Sequence, residues 1–231
     1  MCWRRVRPAI NIDKKGSSMT LQRSFIATAI AVFAFSSNAM ALDAKSELQE
    51  LLAPISTLQA EFQQHVLDAN GDLVQELKGA LALARPNKFY WHSDAPDELI
   101  LVADGQAVYY YDPFVEQVTI SAQSEAANQS PFLLLLDAEA SAWADYEVSN
   151  EGLSFQLQPT ANATQQQSLQ VNFVAKEEQP AQLNELILDD GQGQITRIQL
   201  RDVKTNVALP YTTFSFQIPE NAVVDDQRST Q

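Results

Sequence analysis

The pattern of apolar and polar positions divides the chain into one helix and a long series of strands. Asp43 is a capping residue type, Ala44, Leu48, Leu51 and Leu52 recur at helical spacing, and Pro54 ends the stretch, so a short amphipathic helix is expected there. Beyond it the apolar positions recur at every second residue between turn-forming clusters. Asn70-Gly71 separates an alternating run over residues 58–66 from one over 73–85, and Asp104-Gly105 separates 98–103 from 107–112, which predicts two hairpins. Further strands are predicted over 88–93, 114–120, 146–149, 153–159, 169–175, 183–188, 194–201 and 213–218, with Asp190-Gly191 as another tight turn. About eleven short antiparallel strands in a mainly β domain suit a sandwich or a barrel.

One segment breaks the alternation. Residues 131–136 read PFLLLL and lead into an alanine-rich stretch that ends at Trp143; proline opens the run as it would open a helix, so one or two short helices over the sheet are expected. Two readings stay open for this segment: core filler, or a lid that closes an apolar space and moves aside when the space is occupied. Within the strands, parity puts Leu73, Leu77, Leu81 and Leu83 on one face with Gly79 between them, and Arg85 continues the same series. Phe89 and Trp91 share a face after Pro86, and Tyr109 and Tyr111 share one in the next hairpin, so the inner surface is expected to be rich in large rings. A solvated arginine or a surface ion pair is the plainer reading of Arg85; if the parity holds, a guanidinium at the mouth of such a space needs acceptors, and backbone carbonyls of a covering segment would serve.

The amino-terminal region stands apart from this pattern. From Met19 the chain shows a cation at Arg23, an apolar run over 25–35 and small residues ending at Ala41, which is the layout of a secretory signal peptide cleaved after Ala41. An apolar run of about eleven residues is too short to span a bilayer, which takes about twenty. Residues 1–18 then form an extension upstream of the signal, 19–41 the signal peptide, and 42–231 a single domain. Cys2, the one cysteine, lies in the upstream extension, and the residue at the expected cleavage point is Leu42 rather than a cysteine that could carry lipid. Residues 1–41 hold six of the 15 cations and one of the 29 anions, so the remainder carries nine cations against 28 anions, a net charge near −19. So acidic a surface repels phosphate backbones and anionic headgroups, which argues against nucleic acid as a partner and against steady membrane residence.

Catalytic motifs are few. His65 and His92 lie on different predicted strands, no cysteine accompanies them, and no metal site of ordinary ligand type is expected. The chain has no GxSxG, no P-loop and no GxGxxG. Asp94, Asp97 and Glu98 cluster after Trp91; paired carboxylates can hydrolyse glycosides, but Ala-Pro separates these and a solvated turn is the plainer reading. A small-ligand binder with an apolar barrel mouth is a further alternative.

Several blocks of residues resemble the outer-membrane lipoprotein carrier family, LolA: RPNKFYWH at 85–92, PDELILVADG at 96–105, YYDPFVEQV at 110–118, PFLL at 131–134 and VDDQR at 224–228. The resemblance spreads over nearly the whole of residues 42–231 in the family order. It implies an open, incomplete antiparallel β-barrel of about eleven strands under a helical lid, with no catalysis and no cofactor. It implies a lid latch in which Arg85 bonds backbone carbonyls at Leu135 and Leu136. It also implies an acyl-chain cavity, here expected to involve Leu81, Leu83, Phe89, Trp91, Leu101, Tyr109, Tyr111, Phe132 and Leu134. The lid sequence LLLLD is less varied than the family pattern. The implied partners are acylated lipoproteins, an inner-membrane ABC transporter and an outer-membrane receptor, for a monomer working in the periplasm.

Overall fold

A computed structural model describes residues 43–123, 135, 141–161, 163 and 166–228. Among these residues the architecture is an open sheet of twelve strands preceded by an α-helix, rather than a closed barrel. Helix α1 (Ala44–Leu52) starts as expected: the Asp43 carboxylate accepts from the Ser46 N–H at 3.0 Å and holds its pKa below the usual carboxylate range through that bond. The chain turns off at Ala53 and Pro54. Leu48 and Leu52 are the buried residues of the helix, and they join the main core.

The strands are β1 (Thr57–Leu67), β2 (Leu73–Ala84), β3 (Lys88–Ser93), β4 (Leu99–Ala103), β5 (Ala107–Asp112), β6 (Gln117–Ala122), β7 (Tyr146–Glu151), β8 (Ser154–Pro159), β9 (Ser168–Lys176), β10 (Gln179–Asp189), β11 (Ile195–Thr205) and β12 (Val223–Asp226). Their order across the sheet is β12-β6-β5-β4-β3-β2-β1-β11-β10-β9-β8-β7, so β12 and β7 are the two edges. Two meanders, β1 to β6 and β7 to β11, join through the β1–β11 pair.

Three expectations need correction. The sheet is not wholly antiparallel, because β12 runs parallel to β6. No strand forms over 213–218: Tyr211–Phe214 is a 3-10 helix, and Phe214 is buried as part of a segment crossing the sheet rather than as a member of it. The edge that this segment could have extended is taken instead by β12. The strand expected from Phe114 begins at Gln117, because Asp112 Oδ1 accepts the Phe114 N–H at 2.9 Å and holds a turn that leaves Phe114 92% exposed. Of the segment expected to form helices, residues 131–134 and 136–140 lie outside the described residues, and Ser141–Asp145 is a 3-10 helix.

Register defines one continuous apolar face. Leu58, Ala60 and Phe62 of β1 stand opposite Leu83, Leu81 and Gly79 of β2, and Leu81 and Leu83 stand opposite Trp91 and Phe89 of β3. Trp91 faces Leu101 of β4. On the other side, Phe62 faces Leu200 of β11, Ile198 faces Leu186 of β10, Leu186 faces Val171 of β9, and Val171 faces Phe155 of β8. All of these except Gly79 belong to one apolar cluster, most of them almost fully buried. We call this the inner face. Each large side chain so buried contributes about 1.5–3 kcal/mol, which makes this face the chief source of stability.

Candidate functional site

The middle of the inner face is built around a glycine. Gly79 sits between Phe62 on β1 and Ser93 on β3, one step along from Trp91, and with no side chain at that point the Phe62 and Trp91 rings meet across β2. Their centroids are 3.7 Å apart at an interplanar angle of 24°. A Cβ on Gly79 would lie 1.9 Å from the His92 carbonyl oxygen, so the backbones there have closed to a distance only glycine permits. Phe89 lies beside Trp91 at 6.4 Å. Phe62 did not stand out in the sequence, yet a signal was present: a hairpin centred on Asn70-Gly71 pairs residue 62 with residue 79, and a mid-strand glycine opposite an aromatic residue marks a ring laid over the gap.

Arg85 lies just past the end of β2, at the rim of this face. Its Nη2 donates to the Leu135 carbonyl at 3.0 Å, and Leu135 is itself buried among the inner-face side chains. Leu136, Phe132 and Leu134 lie outside the described residues. Two further contacts were missed in the sequence. Gln123 donates from Nε2 to the Asn87 carbonyl at 2.6 Å and accepts from the Gly105 N–H at 2.9 Å, which ties the end of β6 to the turns beside Arg85. Lys45 Nζ of α1 donates to the Trp143 carbonyl at 2.6 Å, and the Trp143 ring is buried in the main core.

The predicted inner residues fall into two groups. Leu81, Leu83, Phe89, Trp91 and Leu101 are on the inner face. Tyr109 and Tyr111 are not: Leu101 stands opposite Tyr110, so Tyr110 faces inward, while Tyr109 and Tyr111 stand opposite Val102 and Ile100 on the other face. There they join Val118 and Ile120 in a second cluster, with Phe216 at 5.4 Å from Tyr109 and 5.9 Å from Tyr111. Burial there pushes the Tyr109 hydroxyl pKa up. The physical reason is parity across the turn: a two-residue loop pairs odd with even positions, so the inner series of β4 continues through the even residues of β5.

The carboxylates after Trp91 do not form a reactive pair. His92 Nε2 meets Glu98 Oε1 at 3.0 Å, the Asp97 carbonyl accepts from the buried Ser93 hydroxyl at 2.8 Å, and Asp94 is exposed. Among the described residues no three His, Cys, Asp or Glu side chains converge to hold a metal, and no helix is long and apolar enough to cross a membrane.

The chain is similar to known proteins over most of its length. The family described as outer membrane lipoprotein carrier protein LolA matches residues 53–217. An outer-membrane lipoprotein carrier protein of Idiomarina loihiensis is 38% identical over 183 residues, covering 79% of this chain and 88% of that protein. One of Shewanella halifaxensis is 34% identical over 208 residues, covering 90% and 98%. A solved LolA superfamily protein of Nitrosomonas europaea superimposes with a TM-score of 0.47 at 14% identity, covering 76% of this chain and 99% of that one. Sharing the family pattern over most of its length, the chain belongs to the outer-membrane lipoprotein carrier family, LolA.

Proposed function

We propose that the protein accepts acylated lipoproteins from an inner-membrane ABC transporter, shields their acyl chains against its inner face while they cross the periplasm, and passes them to an outer-membrane receptor. LolA carriers are not enzymes, and the task is one of burying and releasing apolar surface. The observation that carries the reading is an apolar face continuous across the sheet, with Leu135 and Trp143 packed on it and a guanidinium bonded to the Leu135 carbonyl.

Magnitudes set how such a carrier works. Moving a methylene from lipid to water costs about 0.8 kcal/mol, so acyl chains of many methylenes cannot travel exposed. A hydrogen bond from a charged donor contributes about 1.5–3 kcal/mol, the equivalent of two to four methylenes. The Arg85–Leu135 bond therefore cannot exclude cargo. It weakens cargo binding by what must be given up, and so favours onward transfer.

Adding the purified protein to energised inner-membrane vesicles should bring acylated lipoproteins into solution; vesicles that keep all their lipoproteins would refute the reading. Arg85→Leu should still solubilise cargo but deliver it several-fold less to receptor-bearing membranes. Normal delivery by that variant would remove Arg85 from the switch.

A further inference from the structure

The inner face does not end at the Phe62–Trp91 stack. On the same face, Gln64 of β1 and Leu77 of β2 lie one step beyond Phe62 and Gly79, while Leu99 of β4 lies level with Gly79 through Ser93, Tyr110 of β5 lies level with Trp91 through Leu101, and Asp112 follows Tyr110 at the strand end. These residues line an open cavity of about 590 Å³, together with Asp97, Glu98 and Phe114 of the adjoining loops. Its character differs from that of the packed middle. Leu77, Leu99 and Tyr110 supply apolar wall, Phe114 stands 92% exposed at its edge, and three carboxylates with no cation rim it among the described residues.

We propose that this cavity takes the peptide stretch that follows the acylated residue of the cargo, and that it prefers a basic stretch. The proposal rests on the carrier reading above. Acyl chains on the inner face must leave their attached polypeptide at an end of that face, and this cavity is the continuation of the face toward solvent. An apolar wall under a carboxylate rim matches lysine, whose methylene stem packs on apolar surface while its ammonium reaches water and anions. Tyr110 and Phe114 add ring faces that attract a cation. A phosphate-bearing headgroup would meet like charge here instead, in a chain whose net charge is −14. Glu98 already has His92 as a partner, and the Asp112 carboxylate caps its own turn, so Asp97 is the rim carboxylate with no such tie in the described contacts.

Two synthetic lipopeptides test this: each triacylated at a terminal cysteine, one continuing in serine and four lysines, the other in serine and four glutamates. Competition against a fluorescent fatty-acid probe should show the lysine peptide binding about tenfold more tightly at low salt, with the gap narrowing at high salt. The combined substitutions Asp97→Asn, Glu98→Gln and Asp112→Asn should abolish the preference while leaving displacement of the probe intact. Three exposed carboxylates that do not line the cavity, changed as Glu151→Gln, Glu177→Gln and Glu220→Gln, should leave most of it. Phe114→Ala should shrink it without changing the melting temperature. Equal binding of the two peptides, or a preference lost with the non-lining substitutions and kept with the rim ones, would overturn the proposal and leave the carrier reading standing. Failure of both peptides to displace the probe would sink the carrier reading, and this proposal with it.

Discussion

The sheet carries aromatic residues on both faces, Phe89 and Trp91 of β3 on one and Tyr109 and Tyr111 of β5 on the other, with β4 between the two strands, and the two faces are covered in different ways. On the inner face, Phe89 and Trp91 of β3 share a core with Leu135 and Trp143, and among the described residues the side chains of Arg85 and Lys45 donate to the Leu135 and Trp143 carbonyls. On the outer face, Tyr109 and Tyr111 of β5 pack under Phe216, and that segment is woven into the sheet. Its start is pinned by Asn206, whose side chain accepts from the Ser56 N–H at 2.8 Å and donates to the Pro54 carbonyl at 3.0 Å. Its end forms β12, which adds a ladder of backbone bonds to β6. Lys88 lies over the Tyr211 ring between the two. The described ties to Leu135 and Trp143 run from side chains to backbone carbonyls. A segment that ends as a strand gives up a ladder of backbone bonds if it leaves, each contributing about 0.5–1.5 kcal/mol net. The outer segment is thus built into the sheet by backbone bonds, whereas the described ties on the inner face are made by side chains.

Four substitutions separate the faces further. The largest effect is expected from Trp91→Ala, which empties the centre of the inner core and should cost about 3–5 kcal/mol in chemical denaturation; a loss under about 1 kcal/mol would mean that the stack is not a support. Next is Gly79→Ala, where a Cβ has no room beside the His92 carbonyl; about 1–3 kcal/mol should be lost. Tyr109→Ala should cost about 2 kcal/mol through its contact with Phe216, yet leave binding of a fluorescent fatty-acid probe unchanged. Weakened probe binding would show that the outer face takes part in carriage.

The smallest effect concerns the far end of the outer segment. Asp226 has its pKa lowered to about 2 by hydrogen bonds from the Arg228 side chain and backbone. Because the folded value lies below the unfolded one, its contribution is whole above about pH 4 and is lost as pH falls through about 2. Melting temperatures taken down through that window should fall slightly more for the wild type than for Asp226→Asn, and equal slopes would contradict the assignment.

Much of this arrangement was legible from residue order. The helix, the two leading hairpins and the shared face of Leu81, Leu83, Phe89 and Trp91 follow from period and turn chemistry, because local sterics dictate both. Arg85 was singled out by the same parity that put it at the end of an apolar series, and its carbonyl acceptor was found at Leu135. What escaped was long range. Alternation says which residues share a face, not which face is covered by what, so the run at 213–218 read as a strand when it is a strap whose Phe214 and Phe216 pack onto the sheet. Tyr109 and Tyr111 were misplaced because parity was carried along each strand and not across the turn at Gly105. Gln123 and Lys45 gave no signal, since a single polar side chain reaching a distant carbonyl leaves no periodicity.

The central claim is that acyl chains lie on the inner face, in place of what covers it. A triacylated peptide bearing a photoreactive diazirine in its acyl chain tests this most directly, with the cross-linked residues mapped by mass spectrometry. Labels should fall on Phe62, Leu81, Phe89, Trp91 and Leu101, with Tyr109, Tyr111 and Phe216 unmarked. Labelling concentrated on those last three, with the inner residues clean, would contradict the account.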